Sequence, residues 1–361
     1  MSCAILGIGS VSALGCGVES LKAGLAGSVA PLIETHKYDT VFGETAVNAY
    51  TASINGLERF LPRNALRRMD RLSQMSLLAS FLAIEDGGLV LEDRARIGIV
   101  FGSGYGPMQT TFGFLDSLID HGDKLASPTL FANSVHNALA AQATIALKIN
   151  GPCLTVTSFE QTAHSVLATA MGWLHGGQVD YVLAGMGDEF CPLRGYSTAA
   201  LNRGGCSGVM RPLSLDRCSH VPGEGFITFL LGKGDVDGSY CRLTAATVGR
   251  FDAAADLPHE QVFIAANGIR ETAEYYRPIL SLKKSVVAYA SLYGGMPAGN
   301  GFDVAFAALS LRDGIVYRLE DERTATPIAA DAGIDCVGFG VGGSCSIITL
   351  EGRRPVSGSK Q

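Results

Sequence analysis

The residue types that most often carry out catalysis are present in this chain, but not in the spacing of the common catalytic motifs. The seven histidines are His36, His121, His136, His164, His175, His220 and His259. No two of them have the HExxH spacing of zinc hydrolases, and no G-x-S-x-G turn of the α/β-hydrolase type occurs. The nine cysteines are scattered and include no C-x-x-C pair. We therefore predict free thiols, no metal site and no bound cofactor.

A glycine-rich segment partly matches a phosphate-binding loop. Gly102, Gly104 and Gly106 follow the apolar run at residues 96–101, as a dinucleotide-binding loop follows a strand. The dinucleotide fingerprint needs G-x-G-x-x-G at the start of a helix, whereas here the third glycine comes one residue early and Pro107 follows it. We therefore favour a tight turn beside a packed sheet over a nucleotide site.

Composition excludes several classes of protein. Hydrophobic residues make up 47% of the 361 residues and charged residues 17%, which rules out a disordered chain. The 28 Lys and Arg residues against 34 Asp and Glu residues give a net charge of −6, so nucleic acid is not an expected partner. The apolar runs are shorter than the ~18 residues of a membrane span, and no positive segment precedes the apolar stretch of the N-terminus. We expect a cytoplasmic protein.

Short apolar runs alternate with helical patterns along the chain, which is typical of a layered α/β fold. Strands are predicted at residues 4–7, 96–101, 153–158, 181–185, 225–231, 262–264 and 346–350. Helices are predicted at residues 69–85, 138–147, 162–175 and 302–311. The same rhythm returns after a polar turn at residues 234–238. We therefore predict two halves of similar β/α order, residues 1–236 and a shorter half at residues 237–361.

Five sequence blocks occur in the same order as in one known family. They are GIGSVSALG at 7–15, RMDR at 68–71, the Gly-Pro pair at 151–152, RPLSLDR and GEG within 211–225, and FGVGGS at 339–344. Together they resemble the β-ketoacyl-acyl carrier protein synthases of the thiolase superfamily, over nearly the whole chain. The resemblance implies a thiolase-like α/β fold in which duplicated βαβ halves form a layered αβαβα core.

The positions that carry out catalysis in that family hold other residues here. The family condenses acyl thioesters with malonyl-carrier protein by means of one cysteine at a helix start and two histidines. Nine residues beyond the glycine of the Gly-Pro pair, where that cysteine is expected, stands Glu160, followed by Gln161. Asn267 and Gly294 stand at the two histidine positions, and Tyr289 at a lysine position. Because a carboxylate cannot form the usual acyl thioester, the resemblance implies a chain that does not condense by itself.

The resemblance also implies a partner. Family members are dimers whose nucleophile strands pair across a two-fold axis. One subclass pairs an active synthase with an inactive homologue, the chain-length factor, which carries Gln near the cysteine position. We therefore predict a non-catalytic, chain-length-factor-like subunit of a type II polyketide system. The most specific subtype that we predict is the aryl-polyene type. It would bind an active ketosynthase and meet acyl carrier protein through the complex.

That assignment implies roles for several further residues. The strand that pairs with the partner would comprise Cys153, Leu154, Thr155, Val156 and Thr157. The end of the partner's acyl tunnel would meet Leu130 and Phe131. The C-terminal loop would present Phe339, Val341, Gly342 and Gly343. The family has a longer segment where residues 250–258 stand here, so we expect part of the entry channel to be missing.

Two other functions stay open. In the first, the chain is a free-standing decarboxylase or acyltransferase that uses Glu160 as a base. The helix dipole would lower the pKa of that carboxyl group, whereas burial would raise it. The enolate would still need donors, of which Asn267 offers one and Gly294 only its backbone. In the second, the chain is a homodimeric scaffold or regulator that binds no acyl chain.

Overall fold

The computed structural model describes residues 2–41, 43–90, 92–201, 210–251, 257–319 and 323–353. Its strands are β1 (Cys3–Ser12), β2 (Gly15–Cys16), β3 (Ile33–Thr40), β4 (Gly43–Tyr50), β5 (Ile97–Gly102), β6 (Cys153–Val156), β7 (Tyr181–Asp188), β8 (Gly225–Lys233), β9 (Cys241–Gly249), β10 (Gln261–Ile264), β11 (Ser285–Val287), β12 (Ile315–Arg318), β13 (Thr324–Pro327), β14 (Gly333–Phe339) and β15 (Cys345–Glu351). Its helices are α1 (Val18–Ala26), α2 (Arg63–Leu66), α3 (Arg71–Gly87), α4 (Met108–His121), α5 (Pro128–Asn133), α6 (Ala138–Leu147), α7 (Thr162–His175), α8 (Pro192–Leu201), α9 (Arg270–Leu280), α10 (Ala290–Tyr293) and α11 (Asn300–Asp313). None of these helices has both the length and the apolar character needed to cross a membrane.

Two sets of five strands repeat one spatial order. The first set runs β6-β5-β7-β8-β1 and the second runs β11-β10-β14-β15-β9. In both sets the second strand along the chain, β5 or β10, is parallel to its two neighbours. The last strand along the chain, β8 or β15, is antiparallel to its two neighbours. The predicted duplicated α/β fold is thereby confirmed, whereas the division of the chain at residue 236 stays a prediction.

Helices and strands are stacked in alternating layers. Helices α3 and α6 cover the first set, α9 packs on the second set, and α7 and α11 contact strands of both sets. Every residue of α11 from Asn300 to Leu311 is buried. Such a helix needs no polar face, because no side of this stretch meets solvent. Three hydrophobic clusters fill the spaces between the layers, which gives the expected αβαβα stacking.

Most of the expected elements occur close to their predicted bounds. Helices α6 and α7 have the predicted bounds. Helix α3 begins after Asp70, whose carboxylate accepts a hydrogen bond from the N–H of Ser73. The hairpin β3–β4 is not evident from the sequence, since β3 is mostly exposed and has no apolar alternation. The prediction of free thiols throughout is wrong, because Cys218 is disulfide-bonded.

Strand β1 carries two glycines because α3 packs directly on its backbone. A Cβ atom on Gly9 would lie 1.9 Å from the carbonyl oxygen of Ala79. A Cβ atom on Gly7 would lie 2.2 Å from the carbonyl oxygen of Ala83. Both contacts are with helix backbone, which cannot turn aside as a flexible side chain can. Glycine at these two positions therefore sets the distance between α3 and the sheet.

We expect Gly9→Ala to lower the free energy of unfolding by about 2 to 3 kcal/mol, because α3 must move away from β1. Gly172→Ala is the matched control. Gly172 lies inside α7, with nothing within 4 Å of an added Cβ atom, so alanine should stabilise the protein by roughly 0.5–1 kcal/mol. Urea unfolding of both variants measures the difference. A Gly9→Ala protein as stable as the wild type would show that α3 does not depend on this contact.

Candidate functional site

The position assigned to the lost nucleophile lies at a sharp turn between a strand and a helix. Strand β6 ends at Val156, a short 3₁₀ turn covers Phe159–Gln161, and α7 begins at Thr162. Phe159 has a φ of +44°, in the left-handed region that residues other than glycine rarely adopt. This geometry places the half-buried Glu160 at a helix start, where the partial positive charge of the backbone N–H groups favours an anion.

The C-terminal loop lies directly against Glu160 and Gln161. The Nε2 atom of Gln161 donates a 2.9 Å hydrogen bond to the carbonyl oxygen of Ser344 and lies 3.2 Å from the Ser344 hydroxyl. A Cβ atom on Gly340 would lie 3.6 Å from both Glu160 Oε2 and Gln161 Nε2. The structure therefore brings two groups of residues together that are about 180 positions apart in the sequence.

Aromatic rings anchor the start of this loop. Phe339 is buried, and its ring packs against the rings of Phe251, Tyr275 and Tyr276. The backbone N–H of Phe339 also donates a 3.1 Å hydrogen bond to the Tyr276 hydroxyl. Burial raises the pKa of Tyr276 well above its usual range, so this hydroxyl keeps its proton. Phe339 therefore holds the loop rather than presenting a reactive group.

The outer part of the loop borders a cavity. Val341 is 59% exposed, and Gly342 and Gly343 line a cavity of about 740 Å³ together with Arg250. Gly343 has a φ of +76°, which favours glycine at this position. The expected shortening of the entry channel concerns residues 250–258, of which 252–256 lie outside the described residues. The loss of a channel wall therefore stays a prediction.

His220 contacts Asn267, at one of the positions assigned to the lost histidines, and Gly295, the neighbour of the other. The ring of His220 donates a 2.9 Å hydrogen bond from Nδ1 to the carbonyl oxygen of Asn267. A Cβ atom on Gly295, next to Gly294, would lie 2.2 Å from His220 Cε1. Burial lowers the pKa of His220 to about 4, so the ring is neutral near pH 7. Its position within the 211–225 block is the one signal in the sequence that could have drawn attention to it.

Asn267 and Tyr289 are held by hydrogen bonds to the backbone. The Oδ1 atom of Asn267 accepts a 3.2 Å hydrogen bond from the N–H of Ile269, just before α9. Tyr289 is fully buried, and its hydroxyl donates a 2.6 Å hydrogen bond to the carbonyl oxygen of Tyr317. Burial raises the pKa of Tyr289 far above its ordinary value. Both side chains therefore contribute to local structure.

A carboxylate occupies the glycine-rich turn. Asp188, at the end of β7, accepts hydrogen bonds at Oδ1 from the Ser103 hydroxyl (2.8 Å), the Gly104 N–H (2.8 Å) and the Tyr105 N–H (3.0 Å). Its Oδ2 atom accepts a 2.9 Å hydrogen bond from the N–H of Ala298. The N–H groups that would bind a phosphate are thus used within the protein, which favours the tight-turn interpretation.

The predicted pairing strand is a sheet edge. Within the described chain, β6 ends its set and has β5 as its neighbour. Cys153 and Leu154 are exposed, Leu154 to 41%, whereas Thr155 and Val156 are half-buried. Thr157, beyond the end of the strand, is exposed. A row of backbone hydrogen-bonding groups on the outer side of β6 therefore faces outward.

Leu130 and Phe131, adjacent on α5, have different surroundings. Leu130 lines a cavity of about 840 Å³, together with Met108 and Phe112 of α4. Phe131 is 58% exposed and is not among the lining residues; its ring centroid lies 5.2 Å from that of Phe114. Of the two predicted tunnel residues, Leu130 is therefore the one that lines this cavity.

Buried carboxyl groups lie behind the glycine-rich turn. Glu189 follows β7 directly, and its Oε1 atom accepts a 2.8 Å hydrogen bond from the N–H of Gln109. Its Oε2 atom has no hydrogen-bond partner among the described residues. Burial, reinforced by the negative charges of Asp70 and Glu224, raises the pKa of Glu189 to about 7. Among the residues that the structure describes, no three His, Cys, Asp or Glu side chains are grouped so that they could hold a metal ion.

Comparison with known proteins finds the same family in sequence. Residues 2–234 match the family described as β-ketoacyl synthase, N-terminal domain. The chain is 25% identical over 231 residues to 3-oxoacyl-[acyl-carrier-protein] synthase 2 of Vibrio cholerae, an alignment that covers 61% of this chain and 55% of that protein. The chain thus spans a little over half the length of the curated relatives that it matches.

Solved structures share the fold over nearly the whole chain. The ishigamide ketosynthase/chain length factor matches with a TM-score of 0.79 at 18% identity, covering 98% of this chain and 99% of that chain. A type II polyketide ketosynthase solved with its acyl-carrier protein matches with a TM-score of 0.72 at 15% identity, covering 97% of this chain and 99% of that chain. At these identities the likeness establishes the fold, which is thiolase-like.

The raised pKa of Glu189 predicts a specific pH dependence of stability. Between its ordinary value of 4.5 and about 7, the folded protein binds a proton that the unfolded chain has lost, so wild-type stability falls as pH rises through this window. Glu189→Gln does not titrate, so it should gain up to about 3 kcal/mol relative to wild type across the window and no more above it. Urea unfolding at several pH values measures this gain. The exposed Glu92→Gln is the control, and a pH-independent difference for Glu189→Gln would contradict the prediction.

Proposed function

Because this chain belongs to the β-ketoacyl synthase family, we propose that it is a non-catalytic, chain-length-factor-like subunit that pairs with an active ketosynthase in polyketide-type chain elongation. The turn at Phe159–Gln161 carries the proposal. It has the strand–turn–helix geometry that would present a nucleophile, yet the side chain at the expected position is the carboxylate of Glu160. The shape of a condensing centre is present there without its thiol.

Condensation requires groups that this centre does not supply. A thioester intermediate needs a thiolate, and a carboxylate such as Glu160 would form a labile anhydride instead. Loss of carbon dioxide from a malonyl group leaves an enolate whose oxygen needs positioned donors. Gly294 has no side chain, and His220 uses its Nδ1–H on a backbone carbonyl. In the proposed complex the partner therefore supplies the cysteine and both histidines.

The edge of β6 and its surroundings support a partner of the same fold. Large apolar side chains are exposed on α4, α5, α6, β6 and the adjoining turns: Tyr105, Phe112, Leu115, Leu118, Ile119, Leu125, Phe131, Val135, Ile145, Leu154 and Phe159. A strand edge beside such a surface favours pairing with another strand, and a large apolar patch marks a protein interface. We expect an interface in the obligate class, above roughly 2,000 Å² in total.

The cavity beside α5 supports the chain-length role. Met108, Phe112 and Leu130 form part of its wall, and α4 and α5 belong to the same apolar surface as β6. An acyl tunnel that continued from the partner into this subunit would end against these side chains. Each CH₂ group of the acyl chain that becomes buried contributes about 0.8 kcal/mol of binding free energy. Bulky side chains at the end of the cavity must therefore stop the chain by steric clash, because burial alone favours a longer chain. One structural neighbour was solved in complex with its acyl-carrier protein. This supports the proposal that an acyl-carrier protein binds to the complex.

Reconstitution with an active ketosynthase tests the proposal. The chain alone should form no stable acyl adduct within residues 157–163 and no elongated product, because it lacks the thiolate. Addition of a ketosynthase from the same organism, with its cysteine and histidines intact, should give product. Glu160→Gln should assemble and turn over like the wild type, since the chemistry takes place in the partner. Gel filtration measures assembly, and mass spectrometry measures adducts and products.

The other functions predict different results. A stable acyl adduct at Glu160, or turnover without a partner, would make the chain a free-standing enzyme. Loss of turnover in a fully assembled Glu160→Gln complex would also assign chemistry to this carboxyl group. A stable homodimer that binds no ketosynthase would make the chain a scaffold, with the β6 edge paired to a second copy.

Substitution in the cavity tests the chain-length role separately. Leu130→Trp should shorten the product by at least one two-carbon unit, because the indole ring occupies space that the chain would otherwise fill. Phe131→Trp is the matched control, since Phe131 is exposed outside the cavity lining. Product lengths from the reconstituted complex, measured by mass, give the answer. Unchanged lengths for Leu130→Trp together with altered lengths for Phe131→Trp would place the tunnel on the other side of α5.

A further inference from the structure

Three side chains connect the positions where the family's catalytic groups would stand. Tyr105 lies in the glycine-rich turn, Arg194 in α8, and His220 in the segment before β8. We refer to these three residues as the central plug. Their contacts lead from the nucleophile turn to Asn267 and to Gly295, the neighbour of Gly294.

The path begins at the nucleophile turn. The ring of Tyr105 packs edge-to-face on that of Phe159, with centroids 6.1 Å apart. The backbone of Tyr105 is fixed by the hydrogen bond from its N–H to Asp188. The guanidinium carbon of Arg194 lies 4.8 Å from the centroid of the Tyr105 ring, within the range of a cation–π interaction. Tyr105 is therefore held between the residue before Glu160 and a buried cation.

Arg194 fills the middle of the path. Its side chain is buried, and its Nη1 atom donates 3.0 Å hydrogen bonds to the carbonyl oxygens of Glu189 and Gly223. Its Nη2 atom donates a 3.2 Å hydrogen bond to the carbonyl oxygen of Gly295. Burial of a cation costs free energy, and charge-assisted hydrogen bonds to three separate backbone segments offset that cost. The three carbonyl groups converge on a space that suits a donor-rich planar group.

His220 completes the path. Its ring lies where a side chain on Gly295 would stand and reaches Asn267 through the hydrogen bond from Nδ1. Since Arg194 also binds the carbonyl oxygen of Gly295, the two side chains meet at the same glycine. The neutral state of His220, which follows from its lowered pKa, avoids a second positive charge beside the guanidinium.

We propose that Tyr105, Arg194 and His220 close the degenerate centre of this subunit, so that an acyl chain cannot enter the space behind residue 160. The closure is built from this chain's own side chains and goes beyond the proposed partnership. A chain-length subunit and a homodimeric scaffold could both have a closed centre. A failed test would therefore leave the partnership untouched. In a heterodimer, closure would leave the partner's cysteine as the one loading site for the acyl group.

A cysteine placed at the nucleophile position can probe this space. In Glu160→Cys, the thiolate attacks an alkyl methanethiosulfonate; the new S–S bond carries the alkylthio group, and methanesulfinate leaves with the electron pair of the broken bond. The methyl reagent reports access to the thiol, and the decyl reagent reports room for a chain. Labelling rates are measured by mass spectrometry on the peptide that contains residue 160, in the full-length protein.

With the plug intact, the decyl reagent should label the introduced thiol of the Glu160→Cys protein much more slowly than the methyl reagent does. Adding Arg194→Ala should raise the decyl-to-methyl rate ratio by about tenfold or more, which corresponds to about 1.4 kcal/mol of relieved steric opposition. Tyr105→Ala should act in the same direction and leaves the buried carbonyl groups paired. Tyr105→Ala replaces Arg194→Ala in the test if the Arg194→Ala protein does not fold. Arg312→Ala is the matched control, since Arg312 lies over the ring of Tyr240, in another arginine–tyrosine pair.

The melting temperature of the labelled proteins separates two explanations of fast labelling. In the opened variants, the decyl group should raise the melting temperature, because its methylene groups become buried. Equal decyl and methyl rates with the plug intact would overturn the proposal. So would a ratio that neither Arg194→Ala nor Tyr105→Ala changes, or a decyl group that labels the opened variants without stabilising them.

Discussion

The buried carboxylate of Asp188 is the interaction on which the geometry of the centre depends. It accepts four hydrogen bonds, three from the glycine-rich turn and one from Ala298 in the segment between α10 and α11. A fully buried carboxylate is tolerated when its oxygen atoms are satisfied in this way. Because one side chain joins the two segments, Tyr105 and the turn that contains Gly294 keep a fixed relation to each other. That relation holds the backbone of Tyr105 where the proposed closure needs its side chain.

The turn at Phe159 has the backbone geometry of a nucleophile turn but carries no nucleophilic thiol. The left-handed backbone at Phe159 costs of order 1–3 kcal/mol and persists only where its surroundings determine it. In an active enzyme such a turn would aim a nucleophile, but here it carries a carboxylate. What the turn still does is structural. It ends the edge strand β6 and places Gln161 against the C-terminal loop at Ser344. A subunit that acts by binding a partner would still need this geometry, because it fixes the end of β6 and the position of the C-terminal loop.

The sequence predicts the layered fold well because the signals for it are local. Helix α7 has the expected bounds and β5 lies within one residue of them, since each carries its own apolar pattern. Strand β14, in contrast, is fully buried although no strand is predicted there. Strand β3 of the hairpin β3–β4 has no such apolar pattern, because most of its side chains are exposed, and the hairpin forms a separate two-stranded sheet. The central plug is a different case. Arg194 and His220 each look ordinary in sequence, and their contacts join segments that lie 47 to 101 positions away. No spacing rule could have revealed those contacts, whereas the family resemblance drew attention to Glu160, Asn267 and Gly294.

Neighbouring residues on α5 have different surroundings. Leu130 lines the cavity beside α4, whereas Phe131 is one of the exposed apolar side chains on α4, α5 and β6. A partner bound over those side chains would cover Phe131 and border the cavity at the same time. Assembly and control of chain length would then depend on adjacent positions of one short helix, while the closed centre behind Glu160 takes no part in either.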